Sequence, residues 1–265
     1  MLNLIYSDLF KLFKSTAVKV SFFITSMCAV SLIIVSRLSA NGTLEEKVTV
    51  NTIFLSDVFV MSIIGAVIAG IFICSDFENK TVNAAISCGY GRGTILVSKS
   101  IVYFLVMAIM LLPYSIGTII AFVSGIKFGT LVIPSVFMDI FSNKAGLEIS
   151  VNVIFKMLAI ILTLTIVYAS RLSICVLLAF ILRRPVFVVG TGFGLAFVFD
   201  FIVVVKDKLG VFGKLLEYNP FAQNYPVLTM ASGAGTILKA IVCSIVFIII
   251  ILSITYIIFR RTEIK

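Results

Sequence analysis

Six long apolar runs, at about 18–36, 53–74, 100–124, 157–181, 186–205 and 237–259, leave this chain little choice of fold. Several reach 18 or more residues, the length that crosses a hydrocarbon layer about 30 Å thick. In lipid each backbone N–H and C=O must be bonded within its own segment, so such runs are expected as helices. A large soluble core is the alternative, and the composition excludes it. Of 265 residues, 61% are hydrophobic and only 12% charged, where a soluble domain carries about twice that charge. No soluble domain interrupts the runs. The expected fold class is an all-α membrane protein of six transmembrane helices, forming one domain over 1–265.

The net charge of +9 does not point to nucleic acid, because the Lys and Arg residues stand at the ends of the apolar runs. That placement reads as topology and headgroup contact. Eleven of them, including Lys11, Lys14, Lys80, Arg92, Lys99, Arg183 and Arg260, fall on one side and seven on the other. Both termini are therefore expected in the cytoplasm. The run beginning near Val18 has no cleavage pattern and is expected to stay as a span. Five scattered cysteines read as packed, reduced thiols. There is no histidine, no metal-ligand spacing, no carboxylate pair and no Ser/His/Asp set. Enzyme chemistry and a resident metal are not expected.

Ahead of the first span, Leu2, Ile5, Leu9, Leu12 and Phe13 share one helical face, and Asn3, Ser7, Asp8, Lys11 and Lys14 the other. This predicts an amphipathic helix over 2–15, lying in the headgroup plane. The stretch 206–236 is too apolar for a solvated loop and too broken by Gly and Pro to span. It is expected as re-entrant or interfacial helices before span six. Asn41-Gly42-Thr43 matches a glycosylation sequon, a pattern common by chance.

Between spans two and three lies the main polar interruption, Ser75 to Lys99. Ser75 and Glu78 have capping-box spacing, so a short helix is expected to start there. Val82 and Ile86 share its face, and Gly89, Gly91 and Gly93 are expected to stop it. One reading is a docking helix presenting Asp76, Glu78, Lys80 and Arg92 to a cytoplasmic partner. The other is a solvated connector whose charges set topology. A phosphate-cradling loop is excluded, because no G-x-x-x-x-G-K-[ST] spacing and no preceding strand occurs.

Three ionisable residues lie within apolar runs, where each is costly and a functional hypothesis by default. Arg171 precedes Arg183 by 12 residues and Asp200 follows Pro185 by 15. Spans four and five must be antiparallel, so the two side chains should share a depth within roughly 5 Å. A buried Arg171–Asp200 pair pinning two helices is expected, with separate partners or substrate contact as alternatives. Asp57, near the outer end of span two, lies where Lys239 or Lys156 could reach it. Gly190, Gly192 and Gly194 include a small-xxx-small pair suited to close helix approach, and Pro113 is expected to kink span three.

The amphipathic start LNLIYSDLFKLFKST, the six spans with both ends inside, and the broken segment before span six together resemble permease subunits of type-2 ABC transporters. The most specific likeness is in the first cytoplasmic loop, 75–99. Such permeases typically show an acidic residue, a Thr, an apolar stretch, a Gly or Pro turn, an Arg, and a Lys entering span three. Here these are Asp76 with Glu78, Thr81, Val82 to Ile86, Gly89, Arg92 and Lys99. Glu commonly replaces Asp76 in that family and Gly replaces Lys80, while Arg171 matches no family pattern. The loop is similar to those of small bacterial permeases of bacitracin and lantibiotic self-protection. The resemblance implies a coupling helix seated in a separate cytoplasmic ATP-binding subunit, which would bind the ATP and Mg; this chain would hold no cofactor. It also implies a second permease, either an identical copy or a sister chain, and residence in the bacterial cytoplasmic membrane. The expected activity is export of an amphipathic substrate. A secondary transporter or channel using Arg171 and Asp200, or a non-catalytic assembly factor, is the competing class.

Overall fold

A computed structural model describes residues 1–40, 56–123, 136–140, 151–205, 219–221, 228–230 and 232–262. The described elements are helical. They run α1 (Leu2–Lys14), α2 (Thr16–Ala40), α3 (Asp57–Ala69), a π turn (Gly70–Cys74), α4 (Ser75–Glu78), α5 (Thr81–Ser87) and α6 (Arg92–Val123). There follow α7 (Val136–Asp139), α8 (Val151–Leu182), α9 (Pro185–Val205) and α10 (Ala234–Arg261). Five described segments are long and apolar enough to cross a membrane: Thr16–Val35, Asp57–Glu78, Arg92–Ile120, Asn152–Leu182 and Ala234–Arg261. Pro185–Phe199 is a shorter apolar helix within α9. This is the architecture of an all-α, multi-pass, membrane-embedded protein. The sequon and most of 206–236 lie outside the described residues.

The spans are not equally enclosed. In α3 with its continuation, and in α6, 61% of the most apolar window is buried, against 28% in α2 and 17% in α10. The polar connection therefore hangs from the two most enclosed helices. α2 packs on α6, α3 on α9, and α10 along α8. Tyr103 of α6 donates to the Gly65 carbonyl at 3.0 Å. A Cβ at Gly65 would stand 3.1 Å from that hydroxyl and 2.5 Å from Leu172. α9 meets α3 at Gly192, where a Cβ would lie 3.1 Å from Ala66, while Gly190 and Gly194 face open space. The close approach thus belongs to Gly192 and not to the small-xxx-small pair, which projects from the other side of the helix. α6 runs on through Pro113 and begins at Arg92, ahead of the apolar run read from 100. The Gly91 and Gly93 flanking Arg92 do not delay it, because neither takes a positive φ.

α1 carries three arcs rather than two. Asp8 and Leu12 are buried against the bundle, with Ile5 and Leu9 packed beside them. Leu2, Tyr6, Phe10 and Phe13 form a separate exposed apolar stripe, 50–81% accessible. Lys14, Asn3 and Ser7 remain on the polar arc, also exposed. The sequence placed Asp8 among the solvated residues. It is drawn inward because a lysine from α6 waits beneath it.

Candidate functional site

Where α3 ends, a capping box was expected to start a new helix, but no cap forms. The helical hydrogen bonding passes through the π turn without a break, so α4 has no free N–H groups to satisfy. The Ser75 hydroxyl instead donates to the Phe72 carbonyl at 3.4 Å. This continuation turns Asp76 into the bundle, where it is 2% exposed.

Asp76 is the hub of a buried charge cluster. One carboxylate oxygen accepts from Lys11 and from the Thr81 hydroxyl at 2.8 Å. The other accepts from Lys99, which also reaches Asp8 at 3.4 Å and lies over the Phe72 ring at 4.7 Å. Two acids thus meet two lysines, and the cluster joins α1, α4, α5 and α6. Burial pushes the Asp8 carboxyl above its ordinary range, with Lys99 pulling it partly back. Asp76 is therefore the principal partner of Lys99. Such a buried pair adds little net stability, because desolvation offsets the attraction, but removing one partner leaves the other charge orphaned at high cost.

The chain then reverses through Asn79 and Lys80, whose φ of 56° is left-handed. That backbone explains why glycine suits this position. α5 follows, with Val82 buried and Ile86 half-buried beneath it, while Glu78, Lys80, Ala84, Ser87 and Cys88 are exposed. Gly89, at φ 88°, closes it, with Gly89 N–H donating to Ile86 and Tyr90 N–H to Ala85. Only Gly89 of the three glycines stops the helix. Gly93 sits within α6, where a Cβ would lie 3.3 Å from Tyr256.

Arg92 turns away from the exposed face. Its Nη1 donates to the carbonyls of Phe259, Arg260 and Thr262 at 2.9, 2.6 and 3.0 Å. It thereby satisfies the end of α10, whose last carbonyls lack partners within the helix. Its guanidinium also lies 5.8 Å from the Phe259 ring. Phe259 packs edge-on against Phe180 and Phe77, and Arg183 covers Phe77 at 5.1 Å. α1, α5 and the last turn of α10 consequently lie at one end of the bundle.

Of the six residues tied to coupling, Asp76, Lys99, Arg92 and the Thr81 hydroxyl point inward, and the presentation expected of Asp76 and Arg92 is corrected. Glu78 and Lys80 remain on the exposed surface. Asp8 and Lys11 were missed as members of the cluster. Their one sequence signal is an i, i+3 acid–base pair on a helix that must dock somewhere.

Within the spans, Arg171 is 7% exposed and lies over the Phe221 ring at 4.8 Å. Phe221 stacks on Phe199 of α9 at 4.7 Å and meets Phe247 of α10 at 6.5 Å. Phe247 is midway along α10 and Phe199 lies in the second half of α9, so the turn at 219–221 packs against the helices well away from their ends. Ser62, Tyr168, Arg171 and Phe221 line a small pocket there. The Asp200 side chain lies outside the described ones, and with it the expected Arg171–Asp200 pair. Asp57 is fully buried and met by backbone amides rather than by Lys239 or Lys156. It accepts from Val136 and Phe137 at 3.2 and 3.1 Å and from its neighbour Val58 at 3.1 Å. The N-terminus of α7 supplies donors that no spacing in the sequence announces. Asp57→Ala is expected to orphan two buried N–H groups and cost about 1–3 kcal/mol, read as a lower melting midpoint in detergent.

Compared with protein-family models the chain matches none, and no curated protein matches it in sequence.

Proposed function

We propose that the chain is the membrane-spanning permease subunit of an ATP-driven, type-2 ABC exporter. In this reading both termini are cytoplasmic, α9 is a sixth span, and α5 is the coupling helix. One observation carries it: α5 is exposed on one side, while its underside is wired to three other helices through Thr81, Asp76, Lys11 and Lys99. A solvated connector needs no such footing. The two spans that hold α5 are also the most enclosed, so a push on it is delivered to the core. The chain itself is not the ATPase; ATP and Mg belong to a cytoplasmic partner subunit. A second permease completes the path, and the substrate is amphipathic: a peptide antibiotic, a drug or a lipid-like molecule. A secondary transporter is the second reading, favoured only by Arg171 buried at mid-span.

The test is isolation of the tagged full chain from its native membrane in mild detergent. An ATP-binding protein is expected to co-purify, and the exposed double reversal Glu78→Lys with Lys80→Glu is expected to remove it. Transport persisting in vesicles without ATP would overturn the proposal.

A further inference from the structure

The pocket beside Arg171 is bounded by α3, α8 and α9, with Phe221 contributing to its wall. Its volume is about 20 Å³, room for one water and little more. Walls made only of groups such as Leu172, Cys175 and Gly192 would keep a cavity of this size dry. Three polar side chains change that. Ser62, Tyr168 and Arg171 all line it, and they are 9%, 3% and 7% exposed. The Ser62 hydroxyl donates to the Val58 carbonyl at 2.8 Å, which leaves its lone pairs to accept. The Tyr168 hydroxyl adjoins the Asp57 carboxylate, yet among the described residues it makes no well-formed hydrogen bond. Arg171 brings five N–H donors, more than any one partner can engage. Within a membrane bundle no bulk solvent satisfies such groups, and a buried donor left without an acceptor is costly.

We propose that this pocket is a hydration site. One water accepts from Tyr168 and Arg171, donates to Ser62, and so ties α3 to α8 inside the bundle. Three such bonds are what a buried water ordinarily makes. An anionic substrate group is a poorer occupant, because a carboxylate or a phosphate exceeds the space. The site gives Arg171 a helix-joining role that requires no substrate. The inference does not depend on what the protein transports.

A crystal map of the full chain grown in lipid, fine enough to show ordered water, tests it together with a double-mutant cycle in detergent. Density for one water is expected at about 2.7–3.2 Å from all three side chains. Ser62→Ala and Tyr168→Phe each remove one hydroxyl, and the second keeps the ring that stacks on Phe137. Each is expected to lower the melting midpoint by about 2–4 °C. The double variant should fall no further than the lower single, because both act through one water. Tyr168 also adjoins Asp57, so its coupling to Ser62, and not its own shift, carries the test. Additive shifts, a midpoint raised by Tyr168→Phe, or a map without water density shared by the three side chains would overturn the proposal. If Tyr168→Phe does not fold, the map of the unaltered chain decides.

Discussion

Asp76→Asn is expected to destabilise the protein by about 3–5 kcal/mol, the largest effect of any single substitution considered. The change removes the charge that Lys99 faces from a side chain only 5% exposed. Asp8, at 3.4 Å and itself made a reluctant anion by burial, is a weak replacement. The loss also takes the counter-charge from Lys11, so α1 loses an anchor, whereas the Thr81 hydroxyl keeps the Asp76 main-chain carbonyl at 3.1 Å. Thermal unfolding in detergent measures it, followed by a thiol-reactive dye reporting the buried Cys74 and Cys175, with exposed Cys88 replaced by Ser. Pairing Asp76→Asn with Lys99→Met is expected to recover part of the loss, because the buried lysine charge is then gone and Asp8, which loses Lys99, is already a reluctant anion. A double variant as unstable as the single would mean that Asp76 acts through the helix backbone and not through Lys99.

Arg92→Gln is expected to cost about 2 kcal/mol and to fray the last turn of α10. Three carbonyls at that helix end take their hydrogen bonds from a single guanidinium nitrogen. Lysine is expected to restore only part of the effect, since it places a point charge where a planar fork stood. Faster tryptic cleavage after Arg260 and Arg261, together with a lower melting midpoint, is the readout. A change in melting without a change in cleavage would locate the role of Arg92 in the Phe259–Phe180–Phe77 cluster instead.

Much of the fold was legible because a bilayer allows few solutions. The described parts of the apolar runs are largely helical, and 237–259 lies wholly within α10. The polar interruption does carry a short helix over Val82 and Ile86. What the sequence hid was convergence. Positions 8, 76 and 99 meet because α1, α4 and the start of α6 share one end of the bundle, and no local spacing encodes that. Exposed-looking charges were therefore read as outward: Asp76 and Arg92 looked like docking residues until their partners were in view. Arg92 was the hardest to foresee, since its partners are main-chain carbonyls some 167 residues away and carry no side-chain signature. The π turn was equally silent. Its effect is large, for it replaces the expected capping box and rotates Asp76 inward.

In the proposed permease α5 transmits force, with Glu78 and Lys80 as its outward contacts and the charge cluster as its footing. Cross-linking from native Cys88, the exposed thiol at the end of α5, tests this most directly in native membranes. A bifunctional thiol–amine reagent is expected to join Cys88 to an ATP-binding protein, and the Glu78→Lys, Lys80→Glu variant to lose that adduct while melting unchanged. Transport that continues with no such adduct, or an adduct formed only with a second copy of this chain, would contradict it.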